Sequence, residues 1–344
     1  MNVSLSWSQR ILINIVAQGK EVNKSILQLK IGVVIPCFQE TKQILNVIKE
    51  IGPEVSQIIV IDDACPDKTG EYVKTNCTDP RVKVITHSKN TGVGGATMSG
   101  YRYAIENGCE IIVKVDGDGQ MDPSLIPVLV GPIQKGAADY VKGNRFHNLN
   151  SLEEMPGVRI LGNLILSFAS KVSSGYWNIF DPTNGFTAIH LDTVSNLPFD
   201  KIDHGFFFES DILYHLNMLR AVVIDIPMSA KYGNEESSLK IHNIILSFAT
   251  KHYCNMIKRI FYSYFIRDFG ISSIELVLGK ILLLFGIIFG AFTWYESFTT
   301  GIPATAGTVI LAALPIVLGS QLLIAFLSYD TKNIPTKPLN RHAT

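Results

Sequence analysis

Residues 110–122 read EIIVKVDGDGQMD, an apolar β-branched run that breaks off into Asp116, Gly117, Asp118, Gly119 and Gln120. Ile111, Ile112, Val113 and Val115 have the composition of a buried strand, and the glycines beyond end it and turn the backbone sharply. Two carboxylates therefore stand at a strand's carboxyl end. Asp116 and Asp118, with the Gln120 amide oxygen two residues on, are hard oxygen ligands suited to Mg²⁺ or Mn²⁺ carrying a substrate's phosphates. A solvated Asp-Gly turn is the competing reading. A calcium loop of the EF-hand type is excluded, because Met121 and Pro127 occupy the places of its glycine and its bidentate glutamate.

The same punctuation recurs upstream. Ile31–Ile35 is expected as a strand ended by Pro36, Thr41–Ile51 as a helix with Thr41 as its cap, and Gln57–Ile61 as a strand ended by Asp62 and Asp63. Val82–Ile85, helix Gly94–Glu106 and strand Ile111–Val115 follow. Such alternation implies an α/β domain, a mostly parallel sheet flanked by helices, with ligands bound beyond the carboxyl ends of the strands. Polar residues collect at those ends: Pro36–Glu40, Asp62 with Asp63, Lys89–Gly95 and Asp116–Gln120. The loop Thr91–Ala96 is not a dinucleotide fingerprint, since Thr97 stands where the third small residue belongs and the loop follows the third strand, not the first. Its glycines are read as permitting close backbone approach of a ligand at a helix start, with plain helix capping as the alternative.

These segments resemble the family 2 glycosyltransferases of GT-A fold, and among them the polyprenyl-phosphate sugar transferases of the dolichyl-phosphate mannose synthase type. The resemblance rests on IGVVIPCFQE (Ile31–Glu40), IIVIDDACPDKTGE (Ile58–Glu71), HSKNTGVGGATMSGYRYA (His87–Ala104), VKVDGDGQMDP (Val113–Pro123), VKGNRF (Val141–Phe146) and DPTNGFTAI (Asp181–Ile189). It implies nucleotide contacts from Pro36, Phe38, Glu40, Asp62, Asp63, Lys89, Asn90, Gly92, Gly95 and Asp116, and a metal set of Asp116, Asp118 and Gln120. It also implies basic positions facing an acceptor phosphate at Arg145 and Arg159. Lys231 stands where the family often has arginine, and an ammonium cannot reproduce a bidentate guanidinium contact. The implied activity is inverting displacement from a UDP- or GDP-linked sugar onto a polyprenyl (undecaprenyl or dolichyl) phosphate, in cell-envelope glycan synthesis.

The acceptor decides which residues are catalytic. A lipid phosphate is already anionic and needs positioning by Arg145 and Arg159, while Asp118 helps hold the metal that neutralises the leaving diphosphate. A hydroxyl, as in extension of a lipid-linked glycan, needs a carboxylate base, for which FFFESD offers Glu209 or Asp211. A processive polysaccharide synthase is disfavoured by the lack of a QxxRW motif and by only two apolar spans. A non-enzymatic scaffold with a degenerate site sits poorly with intact Asp116, Asp118, Gln120 and Arg145.

After Lys240 the chain changes character. Residues 241–270 mix Ile244, Ile245, Phe248, Ile257, Ile260, Phe261, Tyr264 and Phe265 with Lys251, Lys258, Arg259 and Arg267, as expected of helices at a bilayer interface. A helix pair packed on the catalytic domain is the alternative. Leu276–Tyr295 and residues from about Thr305 to about Tyr329 are each long enough to span, Pro315 being tolerable in a membrane helix. The connection Glu296–Ala304 carries no Lys or Arg, whereas both flanks do. The positive-inside rule then places catalytic domain and carboxyl terminus together on the cytoplasmic side of a plasma membrane.

The expected division is an N-terminal extension (1–29), a catalytic domain (30–240), amphipathic juxtamembrane helices (241–270), a two-helix transmembrane hairpin (271–330) and a cytoplasmic tail (331–344). Ile11, Leu12, Ile15 and Val16 have helical spacing, without the basic cluster or cleavage site of a signal peptide. Thirty basic and thirty acidic residues cancel, which leaves no nucleic-acid signal. The five cysteines form no zinc or disulfide pattern and are read as reduced thiols. Self-association as a homo-oligomer is compatible with all of this.

Overall fold

The computed structural model describes residues 29–147, 157–228 and 241–340. The amphipathic run Ile11–Val16, Lys231 and the side chain of Arg159 lie outside them. Seven strands form one sheet: β1 (Ile31–Cys37), β2 (Val55–Asp62), β3 (Val82–Thr86), β4 (Ile111–Lys114), β5 (Tyr140–Asn144), β6 (Thr187–His190) and β7 (Val223–Pro227), in the order β3-β2-β1-β4-β6-β5-β7. β6 runs antiparallel to both its neighbours, and the other pairings are parallel. The helices are α1 (Ile44–Glu50), α2 (Thr69–Asn76), α3 (Gly92–Glu106), α4 (Ile126–Gln134), α5 (Gly157–Ser174), α6 (Phe208–Leu219), α7 (Ile241–Phe261), α8 (Ile271–Thr300) and α9 (Ala306–Lys332), with a π-helical turn at Tyr262–Arg267 before α8.

Every residue of β1 and β4 is buried, because helices cover both sheet faces. Val33, Ile35, Ile58, Val60 and Val113 point to the side of α1 and α4, where they meet Ile44, Val47 and Leu129. Val34, Ile59, Ile61 and Ile112 point the other way, against Tyr101 and Ala104 of α3 and Ile212 and Leu216 of α6. Each such aliphatic side chain contributes ~1.5–3 kcal/mol relative to exposure.

The first four strands fall where the apolar runs predict them, with shifted ends. Pro36 does not end β1 but pairs with Ile61 inside it. Its missing N–H faces the β4 side, where pairing has already stopped at Val34–Lys114, so no ladder bond is lost. The predicted helix at Thr41 begins only at Ile44, and Thr41 does not cap it. The Glu40 carbonyl instead accepts from Gln43 and Ile44 N–H (3.1 and 3.0 Å).

α5 and α7 form an amphipathic pair. α5 exposes Leu161, Leu164, Ile165 and Phe168, a stripe at i, i+3, i+4 and i+7. α7 buries its polar residues His252, Asn255 and Arg259, and exposes Leu246, Tyr253, Ile257 and Phe261. His252 Nδ1 meets Ser173 Oγ of α5 at 2.8 Å. One face of α7 thus packs on the domain, as the alternative for residues 241–270 expects, while another leaves apolar side chains uncovered.

α8 and α9, 30 and 27 residues long, are long and apolar enough to cross a membrane, and only 17% of either apolar window is buried, which sets them apart from core helices. α9 continues unbroken through Pro315. Glycines bring the two close: a Cβ on Gly286 would collide with Ile316 and the Ala312 carbonyl. Gly286→Leu should therefore pry the hairpin apart and lower the unfolding temperature in detergent, whereas the same change at exposed Gly307 of α9, where a Cβ meets nothing closer than 3.8 Å, should cost less; equal effects would refute the close-packing account.

The hairpin is clasped to the α/β domain at Asp330, which is 4% exposed. It accepts from Arg259 (2.6 and 3.0 Å), Tyr264 Oη (2.6 Å) and Trp177 Nε1 (3.0 Å). Beyond it the expected tail folds back on the domain. Arg220 holds the Asn333 carbonyl, and Asp139 accepts from Leu339 and Asn340 N–H. The α/β domain and residues 333–340 therefore share one side of the hairpin.

Candidate active site

β1 to β4 are mutually parallel, so their carboxyl ends open on one edge. Lys114 closes β4 and, two residues after Ile112, points to the same sheet face, towards α6. There its Nζ lies 2.5 Å from Asp116 Oδ1 and 3.5 Å from Glu209 Oε1, in the first turn of α6. The Lys114 side chain is 1% exposed, Glu209 13% and Asp116 30%. Burial works against the Lys114 ammonium, but Asp116 and Glu209 outweigh it and raise its pKa above the ordinary lysine value. For Glu209 burial dominates and raises the pKa, with Lys114 and Lys142 opposing and Asp116 adding to the rise. Gly185 of DPTNGF passes directly over this cluster, where a Cβ would collide with Lys114 Nζ and Asp116 Oδ2.

The two candidate bases separate cleanly. Two residues on a helix are about 200° apart, so Glu209 and Asp211 face opposite ways. Asp211 is removed from the candidates. Its oxygens are taken by Asp203 N–H (2.8 Å) and Asn255 Nδ2 (2.7 Å), where α6 packs on α7.

At the carboxyl ends of β1 and β2 Phe38 is exposed at the rim, and Gln39 and Ala64 hold left-handed φ values of 65° and 54°. Strain of this kind gathers at functional loops. Glu40 packs against Gly117, bringing the β1 and β4 ends together. Asp62 and Asp63 do not present free acceptors. Asp62 is occupied by Cys65 and Gly70 N–H (2.8 and 2.7 Å), and Asp63 by His87, by Thr91 N–H and Oγ1, and by Gly92 N–H. Burial opposes ionisation of Asp63, yet those hydrogen bonds outweigh it and hold the carboxyl below its usual pKa. Both carboxylates are buried in the wall of the crevice, 2% and 3% exposed. Lys89 and Asn90 are exposed beside it.

Gly94 and Gly95 N–H both donate to the His204 carbonyl (2.8 and 3.2 Å), and a Cβ on Gly92 or Gly94 would strike the backbone at residues 203–204. The close approach is made by the chain's own segment before α6, not by a ligand at the helix start.

Arg145, just past β5, is held bidentate by Asp181 at 2.8 and 2.9 Å, and Asp181 is 1% exposed. The guanidinium stands over Phe146, whose ring meets Phe180 edge-on at 5.5 Å, and Lys171 of α5 lies over Phe180. Arg145 is thereby linked to α5 through the Phe146–Phe180 pair and Lys171. Fully buried Lys142, on β5, donates to the Asn184 carbonyl, and burial pushes its pKa down to about 8.

A divalent ion fits these residues in one way. Asp116, Asp118 and Gln120 are half-exposed oxygen donors, and among the described residues no three acidic, His or Cys side chains converge as a closed cage. Two carboxylates and an amide, leaving coordination sites for phosphate and water, match how Mg²⁺ is held with a substrate. Asp118 Oδ1 also accepts from Gln120 N–H at 2.9 Å, which shapes the turn.

Lys114, Lys142 and Asp181 were missed by the sequence reading. Their signal was present: a lysine inside an otherwise apolar strand must be paired if the strand is buried.

The Glycosyl transferase family 2 model matches residues 32–197. An undecaprenyl-phosphate mannosyltransferase of Micrococcus luteus is 28% identical over 206 residues, 58% of this chain and 83% of that protein. A UDP-N-acetylglucosamine–dolichyl-phosphate N-acetylglucosaminyltransferase of Methanococcus voltae is 33% identical over 172 residues, 46% of this chain and 68% of that protein. Among solved structures, mannosyl-3-phosphoglycerate synthase from Rubrobacter xylanophilus superposes with a TM-score of 0.51 at 16% identity, covering 69% of this chain and 75% of its own. The chain belongs to glycosyltransferase family 2, and it is a glycosyltransferase on a GT-A sheet with two long apolar helices at its carboxyl end.

Proposed function

We propose that this enzyme transfers a sugar from a nucleotide-sugar donor to a polyprenyl phosphate at a membrane surface. The observation that carries the reading is Arg145, clamped by buried Asp181 and linked through Phe146 and Phe180 to Lys171 of α5, whose Leu161, Leu164, Ile165 and Phe168 lie uncovered. A fixed guanidinium next to an apolar surface suits a phosphate on a lipid tail. The names of the bacterial and archaeal relatives, which act on undecaprenyl and dolichyl phosphates, support the same acceptor class.

In this reading Pro36, Phe38, Glu40, Lys89 and Asn90 line the nucleotide's place, and Asp116, Asp118 and Gln120 hold Mg²⁺ or Mn²⁺. When bound, the ion would supply Lewis-acid stabilisation of the leaving diphosphate. Arg145, with Arg159 and Lys231, orients the acceptor. One acceptor phosphate oxygen attacks the anomeric carbon, the bond to the diphosphate breaks, and its electron pair leaves with the nucleotide, inverting the centre. The 30–240 unit carries the chemistry, 241–270 lies at the interface, and α8 and α9 span a plasma membrane with both ends cytoplasmic. The 296–304 connection, which carries no Lys or Arg, between basic flanks supports that orientation.

Arg145→Lys is expected to raise the acceptor KM about tenfold with a smaller effect on the donor KM, since one ammonium replaces a two-point contact. Arg159→Ala should act in the same direction. Unchanged acceptor kinetics in both would remove the acceptor assignment.

A second reading is favoured by Glu209, buried beside Asp116 with a raised pKa: a base for a hydroxyl acceptor. One assay separates the two. Purified protein in detergent receives labelled nucleotide sugars, Mg²⁺ or Mn²⁺, and undecaprenyl or dolichyl phosphate, and the product is extracted into organic solvent. A metal-dependent, mild-acid-labile lipid product is expected. Label that appears only with a preformed glycan would overturn the phosphate acceptor in favour of the hydroxyl.

A further inference from the structure

A cavity of about 210 Å³ opens between the 201–207 segment and α7, lined in part by Lys201, Asp203, Phe207, Lys251, Cys254 and Lys258. It is away from the Asp116–Glu209 cluster, on the side of α6 that carries Asp211. Three ammonium groups meet two carboxylates there, and the carboxylates are already committed. Asp203 pairs with Lys251, and Asp211 accepts from Asn255 and from the Asp203 N–H. Among the described residues Lys201 and Lys258 have no carboxylate partner, so the cavity keeps uncompensated positive charge.

Its position is as telling as its charge. Lys258 follows Ile257, about 100° further round α7, and Lys251 precedes it by seven residues on the same face. The lysine face therefore adjoins the uncovered apolar face of Leu246, Tyr253, Ile257 and Phe261. Lysines flanking such a face sit at the depth of lipid headgroups. About 210 Å³ also leaves room for a compact anion with several waters, at ~30 Å³ of liquid volume each.

We propose that this cavity is a second anion site that binds a phosphate group through Lys201, Lys251 and Lys258, distinct from the sugar-transfer crevice. The phosphate belongs either to an anionic lipid headgroup or to a free phosphate ligand. Its wall has a second role: the segment containing Asp203 and Phe207 also delivers the His204 carbonyl to Gly94 and Gly95 and leads into Glu209. An occupant would thus brace the chain that closes the active-site crevice.

Cys254 provides a local probe, since it lines the cavity and is exposed while Cys37, Cys65 and Cys109 are buried. The test follows iodoacetamide alkylation of Cys254 in the full chain in neutral detergent, read by peptide mass. Inorganic phosphate at constant ionic strength and dihexanoyl-phosphatidylglycerol are compared with chloride and dihexanoyl-phosphatidylcholine. Occupancy slows the reaction by 1 + [L]/Kd, about tenfold when ligand exceeds Kd tenfold. Slowing by both anions supports the site; slowing by the lipid alone assigns it to a headgroup, and by phosphate alone to a soluble ligand. The protection should vanish in Lys201→Gln with Lys258→Gln. Protection by neither anion, equal protection by phosphatidylcholine, or protection that survives the double substitution overturns the proposal.

Discussion

Asp118→Ala is expected to lower sugar transfer about a thousandfold, the scale seen when a group that stabilises developing charge is removed. The loss has two separable sources. The Asp118 carboxylate offers negative charge to a divalent ion, and its Oδ1 accepts from Gln120 N–H at 2.9 Å, shaping the turn. Asp118→Asn retains an oxygen for the Gln120 bond while losing the charge. If charge is what matters, Asn is nearly as inactive as Ala, and both need far more Mn²⁺ for their residual rate. If the turn matters, Asn recovers most of the activity. Wild-type turnover in Asp118→Ala, with unfolding unchanged, would sink the metal assignment.

Lys114→Met should be the most destabilising single change at the site, by about 3 kcal/mol, the cost of leaving a buried charge without its partner. Glu209, 13% exposed, bears most of that cost, because Asp116 at 30% is better screened by water. The effect must depend on pH. Burial already raises the Glu209 pKa, and loss of Lys114 raises it further. A carboxyl with a raised folded-state pKa contributes stability below its unfolded pKa and loses it as pH rises through the folded value. The deficit of Lys114→Met against wild type should therefore be small near pH 4 and grow towards neutrality. Adding Glu209→Gln should restore part of the stability at pH 7. Thermal unfolding in detergent across pH reads all of this, and a deficit that does not change with pH would refute the assignment of the cost to Glu209.

How much of the molecule was legible varies along the chain. β1 to β4 were readable because each is a run of β-branched residues bounded by proline, aspartate or glycine, and a strand buried on both faces needs nothing else. β6 and β7 were not: Thr187–His190 is four residues long, and Val223–Pro227 holds Asp225 at its centre. Both are strands because of what they pair with. α5 was missed too, although its Leu161, Leu164, Ile165 and Phe168 have helical spacing.

Local composition and period alone specify the parallel α/β half, the carboxylates at the β4 end and the two long apolar segments. Contacts made only in the folded chain occupy Asp211 with Asp203 and Asn255, hold Asp62 and Asp63 with the protein's own donors, fill the glycine loop with the His204 carbonyl and pair Lys114 across 95 residues with Glu209. The physical reason is common to all four. A polar group's role depends on which partner reaches it once water is excluded, and that partner comes from a distant segment whose approach no local pattern records.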